Sequence, residues 1–287
     1  MQDATPFLVE ADAAHDMAVK AAEGVGVAQD WTAALDHLVR AAELGSRLAQ
    51  AELAGLSGHW TLAHEILAGK AVPDSPWSRF RSSVDLANWL EPPHSSDISE
   101  RPRMAVIKDM ATPEMCDWMI ERARPRLKPA QVYEDREGRQ RTASGRTNTL
   151  SSFPAPDRDL VFAVVRARIA DVTGLPVSAM ESPHILHYAV GEEFRPHFDT
   201  PEDPDDPNFR QRVLTFLTSL SDDYEGGQTV FPAINGSWKG RKGSAVFFWN
   251  VGLDGRLDRR TLHAGRPVTR GEKWLMSQWI GRPVEQG

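Results

Sequence analysis

Six short segments that follow Pro176 constrain the fold of this 287-residue chain more than any other feature. They read HILHYAV, VLTFLTSL, TVFP, SAVFFWN, HAGRPV and KWLMSQWI, and turns containing glycine, proline or aspartate separate them. The segments are rich in β-branched and aromatic residues, which favour strands. Short strands at this regular spacing predict an all-β sandwich or jelly roll.

Two helices are predicted before these strands, and we expect them to support one face of the sheet structure. The first has Thr112 as a suitable N-cap and Pro113 at its first helical position. The second covers about residues 157–172 and ends before a glycine. The first helix is expected to bury three residues, Met115, Trp118 and Met119. The fold class is therefore predicted to be α+β.

The N-terminal region is alanine-rich from about residue 11 to 70, with apolar positions at helical spacing after Asp30. Its pattern G-x-G-V…D…A…AA-x-x-G resembles the Sel-like repeats of the tetratricopeptide superfamily. Two interpretations stay open, a partner-binding surface and a helical extension of the main domain. Residues 71–102 are rich in proline, serine and charge, so we expect a linker there. The predicted organisation is a helical region over 1–70, this linker, and a larger domain over 103–287.

Composition narrows the classes of partner and compartment. A net charge of −7 does not favour a protein held to nucleic acid through phosphate contacts. The single cysteine, Cys116, permits no internal disulfide and fits a reducing compartment. The N-terminal stretch is acidic, without the apolar run of a signal peptide, and no segment approaches the roughly 20 apolar residues of a membrane span. We expect a soluble cytoplasmic protein without a nucleic-acid or membrane partner.

The candidate chemical site begins with His197 and Asp199, two residues apart in YAVGEEFRPHFD. Side chains at i and i+2 of a strand leave the same face, so an imidazole and a carboxylate would enter one space. A further histidine, His263, lies well downstream. Two histidines and one carboxylate form the facial set that binds a ferrous ion and leaves positions open for a cosubstrate and dioxygen. His184 and His187 have opposite parity, so both cannot face one site.

Lys273 supplies a possible partner for that cosubstrate. It lies in a predicted strand whose inward positions would be Lys273, Leu275, Ser277 and Trp279. A lysine that points into an apolar interior is costly unless it meets an anion. A 2-oxoglutarate molecule would provide this anion, with its 2-oxo acid end on iron and its distal carboxylate on the ammonium group.

Five pieces of sequence, in order, carry a resemblance to a known family. They read ESPHILHYAVGEEFRPHFD, QRVLTFLTSL, EGGQTVFP, KGSAVFFWN and LHAGRPVTRGEKWLMSQWI. The set resembles the prolyl 4-hydroxylase branch of the 2-oxoglutarate- and Fe(II)-dependent dioxygenases over roughly residues 103–283. The resemblance implies a double-stranded β-helix with iron on the two histidines and Asp199, and the distal carboxylate on Lys273. It also implies cosubstrate contacts from Tyr188 and Thr229, with Thr215 and Trp279 lining the pocket.

The same resemblance implies an activity. The chain is expected to hydroxylate a peptidyl substrate, with prolyl residues favoured, using Fe(II), 2-oxoglutarate and O2 and releasing succinate and CO2. Ascorbate is the expected reductant. The presence of Asp199 favours hydroxylation, because related halogenating enzymes lack this carboxylate. Two alternatives stay open, the same chemistry on a free amino acid or other small molecule, and a helical-repeat adaptor with a vestigial β-barrel.

Some positions bear on substrate choice. Phe194 stands where many collagen-type and plant-type relatives have tyrosine, so a hydroxyl contact is absent. Arg212 matches a family arginine that can face substrate, although a structural ion pair explains it equally well. Residues 133–153 resemble the segment that folds over peptide substrates in relatives. Its four arginines have two interpretations, attraction of an acidic protein and simple solvation of a loop, and we favour the second: Arg136, Arg139, Arg141 and Arg146.

Overall fold

The computed structural model describes residues 5–70, 76–130, 132–133, 140–141, 145–201 and 210–283. The chain folds into two compact units. The first comprises residues 1–92 and 155–178, and the second comprises residues 93–154 and 179–287. Within the described residues, no helix is long and apolar enough to cross a membrane.

The first unit is helical. Local sequence signals define the ends of its helices as predicted. Asp30 caps the second helix by accepting a hydrogen bond from the Ala33 N–H, and the last helix ends at Gly174, whose φ is 69°. The α-helices of the described chain, with α7 in the second unit, are α1 (Thr5–Glu23), α2 (Trp31–Glu43), α3 (Arg47–Leu56), α4 (Trp60–Leu67), α5 (Trp77–Ser82), α6 (Leu86–Leu90), α7 (Pro113–Ala123) and α8 (Leu160–Thr173).

The second unit is built from antiparallel strands. Its main sheet has the order β1-β2-β13-β9-β16-β7-β6-β3, and a second sheet has the order β12-β11-β14-β8. Two smaller pairs are β10-β15 and β4-β5. The strands are β1 (Ser95–Glu100), β2 (Arg103–Ile107), β3 (Lys128–Pro129), β4 (Val132–Tyr133), β5 (Gln140–Arg141), β6 (Thr149–Ser152), β7 (His184–Tyr188), β8 (Phe194–His197), β9 (Arg212–Ser219), β10 (Glu225–Gly226), β11 (Thr229–Phe231), β12 (Gly236–Trp238), β13 (Ala245–Trp249), β14 (His263–Gly265), β15 (Val268–Arg270) and β16 (Lys273–Gly281).

The core of the second unit lies between its two larger sheets. One buried cluster joins Phe231 of β11 to Leu217 of β9 and Phe248 of β13, so residues of both sheets pack on each other. A second cluster joins Tyr188 of β7 to Leu275 of β16. Two antiparallel sheets around one core confirm the predicted α+β class with a jelly-roll domain.

The segment expected to be a linker contains regular structure. Helices α5 and α6 lie within residues 71–102, and β1 forms the edge of the main sheet beside β2. The strand was not evident in the sequence because its side chains are mostly exposed, as is usual for an edge strand of polar residues. The limits of the larger domain, residues 103–287, stay a prediction.

Buried ionic groups attach α8 to the helices of the first unit. The carboxylate of Glu52 on α3 is fully buried, contacts His15 of α1, and accepts a hydrogen bond of 2.7 Å from the Leu160 N–H. Burial raises the pKa of Glu52. Glu23 of α1 also pairs with two arginines of the segment, at 2.8 Å each: Arg158 and Arg166. Because removing one member of a buried ionic pair is costly, these contacts fix the segment firmly.

Candidate metal and cosubstrate site

Three potential metal ligands meet where the second sheet carries β8 and β14. His197 ends β8, His263 begins β14, and the two residues are paired across these strands. The Nε2 atoms of the two histidines each lie 3.5 Å from a carboxylate oxygen of Asp199. All three donor atoms lie within 4.8 Å of one another. The structure therefore brings together the three residues that the sequence predicted.

Hydrogen bonds orient these three side chains. Nδ1 of His197 lies 2.9 Å from the Arg195 carbonyl, and Nδ1 of His263 lies 2.9 Å from the Thr261 carbonyl. A carbonyl only accepts, so each Nδ1 carries the proton and each Nε2 keeps its lone pair for a metal ion. The carboxylate of Asp199 also has a partner, because it accepts a 2.7 Å hydrogen bond from the Thr215 hydroxyl.

Thr215 provides that hydroxyl from β9, and Asn250 supports it. The Asn250 side-chain amide donates to the Thr215 hydroxyl at 2.9 Å, and the hydroxyl donates in turn to Asp199. Both residues are almost fully buried. The sequence suggested only that Thr215 lines the pocket. The structure places its hydroxyl on Asp199, where it would fix the orientation of that carboxylate if Asp199 binds a metal ion.

The electrostatics of the three residues suit a metal ion. Burial lowers the pKa of His263 to about 4, so its imidazole is neutral near pH 7. Burial alone would raise the pKa of Asp199, but His263, His197 and the hydrogen bond from Thr215 hold it well below its usual range. Metals bind neutral imidazole and ionised carboxylate, so no proton needs to leave these two groups first. Two nitrogens and one oxygen on one side of a pocket are the donor set that non-haem Fe(II) takes.

Lys273 lies in the same pocket as these ligands, at the start of β16. It is 2% exposed, and its ammonium donates a 2.6 Å hydrogen bond to the Gly227 carbonyl. Its Nζ also lies 4.9 Å from the centre of the Tyr188 ring. Burial lowers the pKa of Lys273 to about 7. No carboxylate within the described part of the chain pairs with it, so no side chain there supplies a counter-charge to its ammonium form.

Other predicted residues line this pocket. Tyr188, Thr229, Phe194 and Trp279 all contribute to its wall. Burial raises the pKa of Tyr188 to about 12, so its hydroxyl stays protonated and can donate a hydrogen bond. Phe194 stacks on the imidazole of His197 with ring centres 3.5 Å apart. These positions surround a ligand that would reach from the metal ligands to the lysine.

Arg212 is placed differently from the other predicted substrate residues. Its guanidinium forms two hydrogen bonds to Glu181, of 2.7 and 2.8 Å, and lies 3.9 Å from the centre of the Trp279 ring. It does not belong to the pocket lining within the described residues. The ion pair that was one of its two interpretations is therefore present, and a direct substrate contact stays a prediction.

Sequence reasoning underestimated Arg146. It was interpreted as a solvated loop residue, but it is 7% exposed and lies on the pocket wall, 4.4 Å over the ring of Phe194. The motif RTNT at residues 146–149 was the sequence feature that marked this region. It could not show that Arg146 lies at the pocket, because that position depends on the pairing of residue 146 with the distant Phe194. Arg136 and Arg139 lie outside the described residues, as do residues 202–209 of the acidic connection.

Comparisons with known proteins agree with this geometry. The family model described as "2OG-Fe(II) oxygenase superfamily" matches residues 183–281. "Probable prolyl 4-hydroxylase 10" of Arabidopsis thaliana is 34% identical over 203 residues, which cover 64% of this chain and 70% of that protein. "Prolyl 4-hydroxylase subunit alpha-1" of Gallus gallus is 34% identical over 199 residues, 67% of this chain and 38% of that protein.

A solved structure shares the fold. It is the viral collagen prolyl hydroxylase of Paramecium bursaria Chlorella virus-1 in a 2-oxoglutarate complex, with 24% sequence identity. The similarity has a TM-score of 0.51 and covers 62% of this chain and 94% of that one. At this level of identity the likeness concerns the fold of the chain alone.

Proposed function

Because this chain belongs to the prolyl 4-hydroxylase family of 2-oxoglutarate- and Fe(II)-dependent dioxygenases, we propose that it hydroxylates prolyl residues of a peptide or protein. Enzymes of this family use Fe(II), 2-oxoglutarate and O2. When bound, the iron and its 2-oxo acid supply the oxidising power, with succinate and CO2 as co-products. The protein contributes positions for these groups and a pocket that excludes water.

In this proposal His197, Asp199 and His263 hold the iron. Their support is the donor geometry, the Nδ1 hydrogen bonds and the ionised state of the carboxylate. Trp279 and Phe194 provide the aromatic wall on which a substrate ring or methylene groups could pack. Both rings are held by neighbours, so they limit the volume open to a substrate before it binds.

Lys273 receives the distal carboxylate of 2-oxoglutarate, and Tyr188 and Thr229 donate hydrogen bonds to the cosubstrate. The buried ammonium of Lys273 is the single observation that carries the proposal. A lysine 2% exposed, with only a carbonyl as acceptor within the described chain, loses the solvation of its charge and gains little in return. A dicarboxylate that is anchored at the metal end would restore a counter-charge.

Three further expectations belong to the same proposal. Ascorbate serves as the reductant that keeps iron ferrous. The enzyme works in a reducing compartment such as the cytoplasm, where the buried thiol of Cys116 stays reduced. The N-terminal helices contact a protein partner, or serve only as a structural extension. The buried contacts between Glu52, Glu23 and the α8 segment favour the structural role.

The alternative of a free amino acid or other small molecule as substrate keeps the same site. The alternative of a non-enzymatic adaptor would not require a complete ligand set next to a buried lysine, so the pocket geometry disfavours it.

The test uses the full-length protein with Fe(II), 2-oxoglutarate, ascorbate and isotopically labelled dioxygen. Proline-containing peptides and free amino acids are supplied separately. We expect labelled oxygen on a prolyl residue in an amount equal to the succinate formed. Replacing His197 with alanine should abolish both products and iron binding, whereas replacing His94, which lies far from the ligand set in the sequence and outside the pocket lining, should change neither.

Three outcomes separate the alternatives. Oxygen on a free amino acid but on none of the peptides would transfer the activity to a small molecule. Oxygen on a residue other than proline would retain the chemistry and change the target. Unchanged iron content in the His197→Ala protein would show that the ligand assignment is wrong.

A further inference from the structure

Arg146 is a second buried cation on the pocket wall. It is 7% exposed, and its Nε donates a 2.8 Å hydrogen bond to the Asn148 side chain. Its Nη2 atom is buried and has no hydrogen-bond partner among the described residues, and no carboxylate there forms an ion pair with it. Burial lowers its pKa, although Tyr188 and Asp199 act in the opposite direction. A ligand with an acceptor atom at this position would satisfy the group.

The backbone holds Arg146 in one position. Residue 146 forms an antiparallel bridge with Phe194, and the flanking residues add hydrogen bonds of 3.1 Å from Thr147 N–H to the Glu193 carbonyl and 2.7 Å from Arg195 N–H to the Gly145 carbonyl. The side chain is therefore mounted beside the strand that ends in the first metal ligand. A preorganised guanidinium loses little entropy when it binds.

The ring of Phe194 contacts both Arg146 and one of the candidate metal ligands. The guanidinium lies 4.4 Å from the centre of this ring, and the ring stacks on His197 with centres 3.5 Å apart. Arg146 is not itself one of the three candidate metal ligands. Under the proposed function a group that binds it would come from the substrate, and the phenylalanine would pack against both where relatives' tyrosine would offer a hydroxyl.

Two more buried polar atoms without partners belong to this region. They are Nε1 of Trp279 and Nδ1 of His184, whose rings lie 5.0 Å apart. Burial, with Arg146 and Arg212 nearby, lowers the pKa of His184 to about 4, so its ring is neutral and Nδ1 can donate or accept. The charge of Arg212 is already paired with Glu181. Arg146 has no ion pair among the described residues, although the charge of Asp199 favours its charged form.

We propose that Arg146, which lines the same pocket as Trp279, binds a carboxylate of the substrate, so that the enzyme selects a target residue with an acidic group nearby. A neutral carbonyl would satisfy a hydrogen bond but would leave the buried charge without a counter-ion. A carboxylate supplies the charge and accepts from both Nη2 and a second donor. This inference rests on the proposed peptide hydroxylation.

The carboxylate has two possible sources, an aspartate or glutamate side chain near the target and a free α-carboxylate at a chain end. Peptides that contain one proline and are acetylated and amidated at their ends test the side-chain source, because they have no free terminal carboxylate. They are made in pairs: for each position near the proline, one peptide carries Asp and its twin carries Asn. A third set ends in a free carboxylate or its amide. Binding is measured by fluorescence anisotropy without oxygen, with Mn(II) and 2-oxoglutarate present, and turnover is measured as KM and kcat.

We expect that Asp at one of the tested positions makes the peptide bind more tightly than its Asn twin and lowers its KM by about tenfold or more. The reason is that hydrogen bonds to charged groups contribute more than those between neutral groups. In Arg146→Gln the Asp-to-Asn ratio should fall to about one, and because both twins are compared within the same variant, a general loss of activity does not change this ratio. Arg146→Lys should keep part of the preference. The matched control is Arg270→Gln, which removes an exposed arginine charge and should leave the ratio unchanged.

Each outcome decides a different point. Equal binding of acidic and neutral twins by the wild-type enzyme would refute the carboxylate site, whatever the variants do. A preference that survives in Arg146→Gln would assign it to another residue. Acid-dependent binding without any hydroxylation would refute the proposed function and retain the site. A preference confined to free chain ends would identify the α-carboxylate as the group recognised.

Discussion

Binding of 2-oxoglutarate should take up a proton through Lys273. Burial lowers the pKa of this lysine to about 7, against an ordinary value of 10.5. A carboxylate placed against the ammonium stabilises its charged form and raises the pKa again. At a pH between these values the free protein is mostly deprotonated at this group and the complex is protonated. The proton therefore comes from the buffer.

The magnitude follows from the two pKa values. The difference between about 7 and 10.5 means that the pocket destabilises the charged form of the lysine by about 5 kcal/mol relative to water. The residue is 2% exposed, so little of this is lost to solvent screening. At about pH 8 roughly nine tenths of the free protein carries neutral lysine, so about 0.9 protons should be taken up per 2-oxoglutarate. At about pH 6 the uptake should fall to about 0.1.

Isothermal titration calorimetry measures this uptake directly. Mn(II)-loaded protein is titrated with 2-oxoglutarate without oxygen, in two buffers whose ionisation enthalpies differ. The slope of observed enthalpy against ionisation enthalpy gives the number of protons. With metal bound, His263 and Asp199 keep their protonation states, so they contribute no proton to the slope. The affinity should also decrease by about tenfold for each pH unit above 7, because a proton must accompany the ligand.

Lys273→Arg is the matched control. Guanidinium stays charged at every accessible pH, so this protein should bind 2-oxoglutarate with almost no proton uptake. A wild-type slope near zero at about pH 8 would refute the reasoning, since it would mean that the lysine is already charged or that it does not meet the cosubstrate. The pH series on the wild-type protein decides this even if the arginine variant binds poorly.

Three other contacts lead to further predictions. Gly227→Ala should weaken 2-oxoglutarate binding by about tenfold or more, because its Cβ would lie 3.2 Å from the side chain of Lys273. The control is Gly174→Ala, which has a similar positive φ but open space around the added Cβ and should leave the Kd unchanged. Thr215→Val should lower metal affinity about 10- to 100-fold in chelator competition, and unchanged affinity would contradict its support of the carboxylate ligand. Glu52→Ala should lower the free energy of unfolding in urea by about 3 kcal/mol. The surface change Glu65→Ala should cost no more than about 0.5 kcal/mol, and equal losses would show that burial is not the cause.

Local signals account for what could be predicted from the sequence. The i, i+2 spacing of His197 and Asp199 is a property of one strand, and so is the alternation that turns Lys273 toward the pocket. Helix caps such as Thr112 depend on three or four neighbouring residues, and the structure has them as expected. The pairing of β8 with β14 then brings His263 to the same place, which only the ordered family motifs had implied.

Long-range contacts account for what could not be predicted. The attachment of α8 to the first unit depends on Glu52 and Glu23, which lie 108 and 135 residues from their partners Leu160 and Arg158. The burial of Arg146 likewise depends on its pairing with a distant strand. In both cases the sequence shows only charged residues, which are usually exposed. The partner that makes burial tolerable is visible only in three dimensions.

The membership of α8 in the first unit affects how the protein is made. Residues 1–92 leave the ribosome first, but the remainder of their unit, residues 155–178, follows only after 62 residues of the second unit, residues 93–154. Until then Glu23 faces no arginine from that segment, and the apolar side chains that pack on α8 stay uncovered. Any chain terminated between residues 92 and 178 therefore has neither unit complete. The first unit can therefore be completed only after residues 93–154 of the second unit have been synthesised.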